Sequence, residues 1–195
     1  MSEQNKEVFV ELFGRTDVGR MRDHNEDTFM AADLSRAQRN LKPEIRRHRV
    51  GSKGTLLMVC DGMGGAAAGE VASQMAADTV YGELIGEHPA ENISTLLSRL
   101  KRAFTLANGR IAAVAERDVS RNGMGTTCSV GVIIEATLLT GQVGDSRIYV
   151  LRNDRLVQVT RDQSLLNQLL DSGQINANEI EQFEHKNVIL QALGV

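Results

Sequence analysis

Residues 61–65, with the sequence Asp-Gly-Met-Gly-Gly, combine a carboxylate with three glycines directly after the apolar run 55–60. An apolar run of this length predicts a buried strand, and the glycines allow the backbone to turn sharply after it. Asp61 would then lie at the rim of a core, where its carboxylate could bridge two hard cations and the carbonyl of Gly62 could add an oxygen ligand. This arrangement predicts hard-cation chemistry on phosphate.

A glycine cluster after a strand is also typical of nucleotide-binding loops. Residues 61–65 match neither the GxxxxGK[ST] loop nor the GxGxxG fingerprint, and no lysine follows the glycines. An Asp-Gly turn without any ligand is the third interpretation, since Asp-Gly is among the commonest turn dipeptides. Taken alone, residues 61–65 therefore favour the plain turn over the metal site.

Three further segments accompany this one, and they lie at residues 19–27, 125–127 and 144–147. In the first, Arg22 precedes the adjacent acids Glu26 and Asp27; the second reads Gly-Thr-Thr and the third Gly-Asp-Ser-Arg. In this order and with these separations, the four segments resemble the metal-dependent protein serine/threonine phosphatases of type 2C, the PPM family, in its bacterial form. The resemblance spans residues 14–194.

The resemblance implies a role for each matching residue. Asp61 would be the carboxylate that bridges two metal ions, Gly62 would bind one of them through its carbonyl, and Glu26 would reach a metal through bound water. Asp27 would orient water near the bridging site, or would only fix the turn by a hydrogen bond. Arg22 would bind the phosphoryl group, because its planar guanidinium can grip two phosphoryl oxygens. The metals would be Mn²⁺ or Mg²⁺, since all-oxygen sites accept either.

The resemblance implies hydrolysis of phosphoserine and phosphothreonine in proteins. Two divalent cations that share one water lower its pKa enough to supply hydroxide near neutral pH, and hydroxide can attack phosphorus in line. Arg20 is a rival of Arg22 for the phosphate. His24 is more typical of a surface residue than of a general acid, and Met63 stands where eukaryotic relatives have a histidine. The general acid is therefore unassigned, and residues 125–127 and 145–147 are expected to give structural support.

The chain departs from the family pattern at its end. Family members continue into strands and a helix whose aspartates complete the metal site, whereas this sequence stops at Val195. We therefore expect a single phosphatase domain, residues 1–195, that is incomplete at the C-terminus. The alternative is a catalytically weak module that binds phosphoproteins or a kinase without turning substrate over. The retained metal and phosphate residues favour the enzyme, because binding alone does not need a metal-bridging carboxylate.

Length and composition are those of an ordinary globular chain. The 195 residues fit one domain with a substantial core, and 42% of them are hydrophobic and 24% charged. A net charge of -3 gives no general attraction to nucleic acid or to an anionic membrane. The polar start lacks the apolar core of a signal peptide, so we expect a cytoplasmic protein. We also expect it to be a monomer. Its expected partners are phosphorylated proteins, including a cognate serine/threonine kinase or its substrates.

The elements that must position the site follow from the hydrophobic pattern. It predicts strands at residues 8–13, 27–32 and 55–60, helices at 66–86 and 90–119, a strand meander at 130–139, 141–151 and 156–160 with a hairpin turn at 152–155, and a helix at 163–172. An apolar stripe from Ile93 to Ile111 is predicted to pack in the core. This order indicates an α+β domain. The resemblance sharpens it to a four-layer α-β-β-α sandwich, with the C-terminal strands and helix missing and the site at one edge of the sheets.

Three regions have more than one interpretation or little chemistry. Residues 36–53 carry seven cations against one acid and predict a solvated loop or a docking surface for acidic partners. Residues 172–183 match the mobile flap of bacterial relatives, or else form a helix cap followed by a short helix. Cys60 and Cys128 lie in apolar, strand-like runs and predict buried free thiols.

Overall fold

The structure, a computed structural model, describes residues 7–39, 41, 47–86 and 92–195. The α-helices of this part are α1 (Ala66–Ile85), α2 (Ile93–Arg117) and α3 (Leu165–Asp171), and 3-10 helices cover Val119–Arg121 and Ala177–Gln182. The strands are β1 (Phe9–Val10), β2 (Asp27–Asp33), β3 (His48–Arg49), β4 (Thr55–Met63), β5 (Gly125–Thr126), β6 (Cys128–Ile134), β7 (Thr137–Val143), β8 (Tyr149–Arg152) and β9 (Arg155–Gln158). In this part of the chain, no helix is both long enough and apolar enough to cross a membrane.

Five strands form one antiparallel sheet in the order β2-β4-β6-β7, with β5 paired to the end of β4. Helices α1 and α2 pack against each other and against one face of this sheet. On β4, Met58 and Cys60 are buried under the helices because alternate side chains of a strand point to the same face. Ala72 and Ala76 of α1 are fully buried, and their small side chains let the helix lie close to the sheet. Strands β8 and β9 form a separate two-stranded ribbon.

The opposite face of the sheet is partly open. Phe29, Val59 and Leu138 are 38%, 45% and 41% exposed on that face. The prediction that residues 55–60 form a fully buried strand is therefore wrong, because only one face of β4 is covered by helices. The predicted end of this strand is also wrong. β4 continues to Met63, so Asp61 lies within the strand and the sharp turn follows Met63.

The predicted strand meander is correct in kind but not in its bounds. A turn at Glu135, which has a φ of 51°, separates β6 from β7, whereas residues 130–139 were expected to be one strand. A second break at Gly144, with a φ of 102°, divides the expected strand 141–151 into β7 and β8. The predicted hairpin turn at 152–155 is confirmed. Its central residues Asn153 and Asp154 both have positive φ, as a two-residue hairpin turn requires.

The two long helices occur where the hydrophobic pattern predicts them. α2 begins after Asn92, whose side chain accepts a hydrogen bond from the N–H of Thr95 at 2.9 Å. The expected start at residue 90 and the linker at 87–89 lie outside the described residues. The buried residues of α2 are Leu96, Leu100, Ala103, Ala107 and Ile111. The stripe is thus core packing over most of its length, but Ile93 and Leu97 are 43% and 38% exposed, which corrects the prediction for that end.

Several short segments differ from their predictions. The strand expected at 8–13 is reduced to β1, which pairs with β3. Because β3 lies within residues 36–53, that region is not simply a solvated loop; its residues 40 and 42–46 are outside the described part. Residues 172–183 follow the helix-cap interpretation, since α3 ends before Gly173 at a φ of 70° and a short 3-10 helix follows. Cys60 and Cys128 are buried and free, which confirms that prediction.

Candidate active site

Asp61 lies on β4 directly opposite Asp27 on β2, on the sheet face that points away from the helices. Its backbone is fixed by the Gly-Thr-Thr segment. The Asp61 N–H donates to Thr127 Oγ1 at 3.0 Å, and the Asp61 carbonyl accepts from the Thr127 N–H at 2.9 Å and from Thr126 Oγ1 at 3.0 Å. These contacts are of the supporting kind expected for residues 125–127, and they hold the Asp61 carboxylate at one position.

A cleft of about 830 Å³ opens beside Asp61. Its lining residues are Met21, Arg22, Asp23, His24, Glu26, Asp61, Gly62, Met63, Gly64, Gly65, Asp145, Asn187 and Ile189. The structure thus brings together four of the five residues that the resemblance singled out. The fifth, Asp27, lines an adjoining cavity of about 290 Å³ that also reaches Asp61. Arg20 is not among the described residues that line either space.

Three backbone segments, at residues 26, 62 and 69, approach one another closely where Glu26 enters the cleft. The N–H of Gly62 donates to the carbonyl of Glu26 at 3.2 Å. A Cβ atom at Gly62 would collide with the carbonyl of Gly69 on α1 and would lie 2.6 Å from that of Glu26. A Cβ at Gly69 would lie 2.9 Å from the Cδ and Oε2 atoms of Glu26. Both positions therefore require glycine, and the Glu26 side chain, only 11% exposed, is held in the space they leave.

Arg22 lies at the mouth of the cleft. Its side chain is 69% exposed, and Nη1 is 3.6 Å from Oε2 of Glu26. Such a long contact at an exposed guanidinium contributes little to stability. The remaining N–H groups of Arg22 are consequently available for an anionic ligand in the cleft.

The carboxyl group of Asp61 carries a perturbed pKa. Partial burial in the cleft is the largest effect and raises this pKa. The charges of Asp27 and Asp145 raise it further, whereas the charge of Arg22 lowers it. The negative charges that disfavour the ionisation of Asp61 form a site that attracts cations.

The donor set can be compared with what a hard divalent cation requires. Asp61, Glu26 and the Gly62 carbonyl offer only oxygen atoms, which are the ligands that Mg²⁺ and Mn²⁺ prefer. Within the described residues, no group of three His, Cys, Asp or Glu side chains is arranged to hold an ion by itself. The residues present fit part of an oxygen coordination sphere, and further ligands would complete it.

Asp145 lines the same cleft as Asp61, although the sequence assigned its segment to structural support. Its neighbours do give such support. Ser146 Oγ lies 2.7 Å from Thr127 Oγ1, and the Ser146 carbonyl accepts from Ser129 Oγ at 2.6 Å. In the sequence, Asp145 follows the strand-forming residues of β7 after one glycine, much as Asp61 follows the apolar run 55–60, and that similarity was the available signal.

Arg147, which follows this turn, is bound to a buried acid. Its Nε lies 2.9 and 2.8 Å from the two carboxylate oxygens of Asp162, and Nη2 also donates to Asp162. These hydrogen bonds raise the pKa of Arg147. The pair fixes the start of β8 beside the cleft.

Part of the wall of the cleft comes from a distant part of the sequence. Asn187 and Ile189 line it, after the 3-10 helix that follows α3. Neither residue carries a local motif, so only the tertiary fold reveals their position. His24 also lines the cleft, and the structure gives it no hydrogen bond that would assign it a proton-transfer role within the described residues.

Comparisons with known proteins identify the family of this chain. A sequence profile of the family "Protein phosphatase 2C" matches residues 44–187. The serine/threonine phosphatase stp of Listeria innocua is 35% identical over 184 residues, which are 93% of this chain and 66% of the relative. The chain therefore spans slightly less than two thirds of the length of this relative.

Solved structures of serine/threonine phosphatases share the fold. The enzyme from S. agalactiae superposes with a TM-score of 0.79 at 26% identity, over 97% of this chain and 70% of that one. The catalytic domain of the serine/threonine protein phosphatase PstP, solved in complex with two manganese ions, superposes with a TM-score of 0.71 at 31% identity, over 96% and 68%. These likenesses confirm the predicted α+β fold and the predicted resemblance. The chain belongs to the protein phosphatase 2C family.

Proposed function

We propose that this chain carries the site of a metal-dependent protein phosphatase that hydrolyses phosphoserine and phosphothreonine. The observation that supports this most is the cleft in which Asp61, Glu26 and Gly62 oxygens face the guanidinium of Arg22. Oxygen donors beside an exposed arginine provide for a cation and for a phosphoryl group at the same place. Phosphatases among the relatives support the same reaction.

The proposed cofactors are two divalent cations, Mn²⁺ or Mg²⁺. Asp61 would bridge them, the Gly62 carbonyl would bind one, and Glu26 would act through bound water. When bound, such ions lower the pKa of a shared water so that hydroxide is available near neutral pH. The two manganese ions of the PstP complex support the number and the metal type. The metal used by this chain stays a prediction.

The side chains of the cleft have separate tasks in this proposal. Arg22 binds two phosphoryl oxygens and stabilises the charge that moves onto them in the transition state. Asp27, which lies opposite Asp61 on the neighbouring strand, orients water near the bridging carboxylate. Asp145 adds negative charge on the far side of Asp61 and is a further candidate for the cation site. The donor of the leaving-group proton is unassigned.

The alternative function is a module that binds phosphoproteins or a kinase without hydrolysis. The relatives do not favour it, since they are named as phosphatases. Hydrolysis that uses bound cations also explains why Asp27, Asp61 and Asp145 lie near Arg22. If the site only bound phosphate, these negative charges would weaken the binding.

The substrates, the domain extent, the oligomeric state and the cellular location are also proposals. Phosphorylated proteins would be the substrates, with a cognate kinase or its targets among them. A single domain over residues 1–195, a monomeric state and a cytoplasmic location stay predictions.

One experiment separates hydrolysis from binding. Phosphothreonine peptide is added to the purified chain with Mn²⁺, and peptide binding and phosphate release are measured in the same sample. We expect both, with release lost on addition of a chelator. Binding without release would favour the module, and release that ignores the chelator would overturn the metal-dependent mechanism.

A further inference from the structure

Two glutamines hold the turn that carries Asp145. The N–H of Gly144 donates to Oε1 of Gln163 at 2.7 Å, and the carbonyl of Gly144 accepts from the Gln163 N–H at 3.0 Å. Nε2 of Gln142 donates to the carbonyls of Gly144 and Ser146, both at 3.1 Å. The turn between β7 and β8 is therefore fixed mainly by side chains from outside it.

Gln163 also contacts the segment that carries Asn187 and Ile189. Its carbonyl accepts a hydrogen bond from the N–H of Leu190 at 2.8 Å. The next residue, Ser164, forms an isolated β-bridge with Ile189, which lines the cleft together with Asn187. One residue thus connects the Asp145 turn to the wall that residues 187–189 form.

The side-chain contact of Gln163 has no substitute nearby. Gly144 is buried, so its N–H cannot turn to bulk water when Oε1 is removed. A buried donor left without an acceptor is unfavourable, and the turn would move to satisfy it. Because Asp145 follows directly, such a movement displaces its carboxylate relative to Asp61.

We propose that Gln163 is a positioning residue, which holds Asp145 and the wall at residues 187–189 against each other and thereby sets the cation affinity of the cleft. The part of this inference that concerns cation binding rests on the proposed function. The part that concerns the position of Asp145 rests on hydrogen bonds seen in this chain. Residues that orient a ligand from outside the coordination sphere change metal affinity by about 10- to 100-fold when they are replaced.

Three variants of the full chain test this role. Gln163→Leu removes the acceptor, and Gln163→Glu keeps an oxygen that can accept from Gly144. Gln168→Leu is the matched control, because Gln168 is exposed on α3 and its side chain has no hydrogen-bond partner among the described residues. Mn²⁺ affinity is measured by electron paramagnetic resonance titration, and the exchange of the Gly144 amide hydrogen is measured by NMR. If Gln163→Leu does not fold, Gln163→Asn, shorter by one methylene, is measured in the same way.

The predicted result has two parts. Gln163→Leu should bind Mn²⁺ about 10-fold more weakly and exchange the Gly144 amide faster, whereas Gln163→Glu and Gln168→Leu should stay near the wild type. Equal behaviour of Gln163→Leu and Gln168→Leu would overturn the positioning role. A wild-type chain that binds no Mn²⁺ would instead contradict the proposed function and the cation part of this inference, and the exchange rates would then decide the role of Gln163 in holding the turn.

Discussion

Asp27 and Asp61 lie directly opposite each other across the antiparallel strands β2 and β4. Like charges directly opposite in an antiparallel pair destabilise a sheet. The charge of Asp27 also raises the pKa of Asp61, after the larger effect of burial. The fold therefore holds two acids together against their repulsion, which a bound cation would relieve.

Replacing Asp27 with asparagine tests this repulsion. Asp27→Asn keeps the shape of the side chain but removes a charge, so the metal-free protein should unfold at a higher temperature. Relief of about 1 kcal/mol would raise Tm by about 2–4 °C in a chain of this size. Mn²⁺ binding should weaken at the same time. Calorimetry measures the first effect and Mn²⁺ titration the second.

Asp154→Asn, in the turn between β8 and β9, is the control for this experiment. It removes one charge from the protein at a position that lines neither cavity beside Asp61. If Asp27→Asn stabilises the metal-free protein no more than Asp154→Asn does, the repulsion between Asp27 and Asp61 is negligible.

Two glycines of α1 should respond in opposite ways to alanine. A Cβ at Gly69 would press on the Glu26 side chain and on the carbonyl carbon of Gly62, whereas a Cβ at Gly82 would meet no atom within 4 Å. Gly82→Ala should stabilise the protein by about 1 kcal/mol through helix propensity. Gly69→Ala should displace Glu26, which cancels the stabilisation from helix propensity and weakens Mn²⁺ binding. Urea unfolding and Mn²⁺ titration measure these effects, and equal Mn²⁺ affinity of the two variants would contradict the role of Glu26.

The two arginines of the first motif should differ in kinetics. Arg22→Ala should lower kcat/KM for a phosphothreonine peptide about 100-fold, because it removes a donor to the transition-state charge. Arg20→Ala removes the same side chain outside the cleft and should leave kcat/KM within about a factor of two, as expected for an exposed charge. Steady-state kinetics with both variants provides the comparison. Unchanged turnover and affinity in Arg22→Ala would assign the phosphate contact to another residue.

The resemblance to a known family predicted more of the site than the hydrophobic pattern predicted of the fold. Arg22, Glu26 and Asp61 lie in short motifs, and the match of those motifs to the family's pattern was enough to group them. β4 was predicted from its apolar residues, but its exposed Val59 was not. Composition cannot tell a strand covered on both faces from one with an open apolar face, because both read as continuous apolar runs.

The rest of the site depends on contacts between distant residues. Gln163 and Asn187 have no motif of their own. Gln163 contacts the turn at Gly144, and Asn187 lines the cleft, only because the segments after β9 fold back on that turn. The breaks at Glu135 and Gly144 were missed for a different reason. Both residues have positive φ, and the surrounding β-prone residues hide such single-residue turns from a periodicity argument.

Manganese-dependent phosphate release by the wild-type chain and by Asp61→Asn tests the central claim most directly. Asparagine keeps the size of Asp61 but cannot bridge two cations as a carboxylate does, so release should be abolished while the fold, followed by circular dichroism, is unchanged. Asp154→Asn should release phosphate at the wild-type rate. Equal release by Asp61→Asn and the wild type, or no release from the folded wild-type chain, would contradict the account.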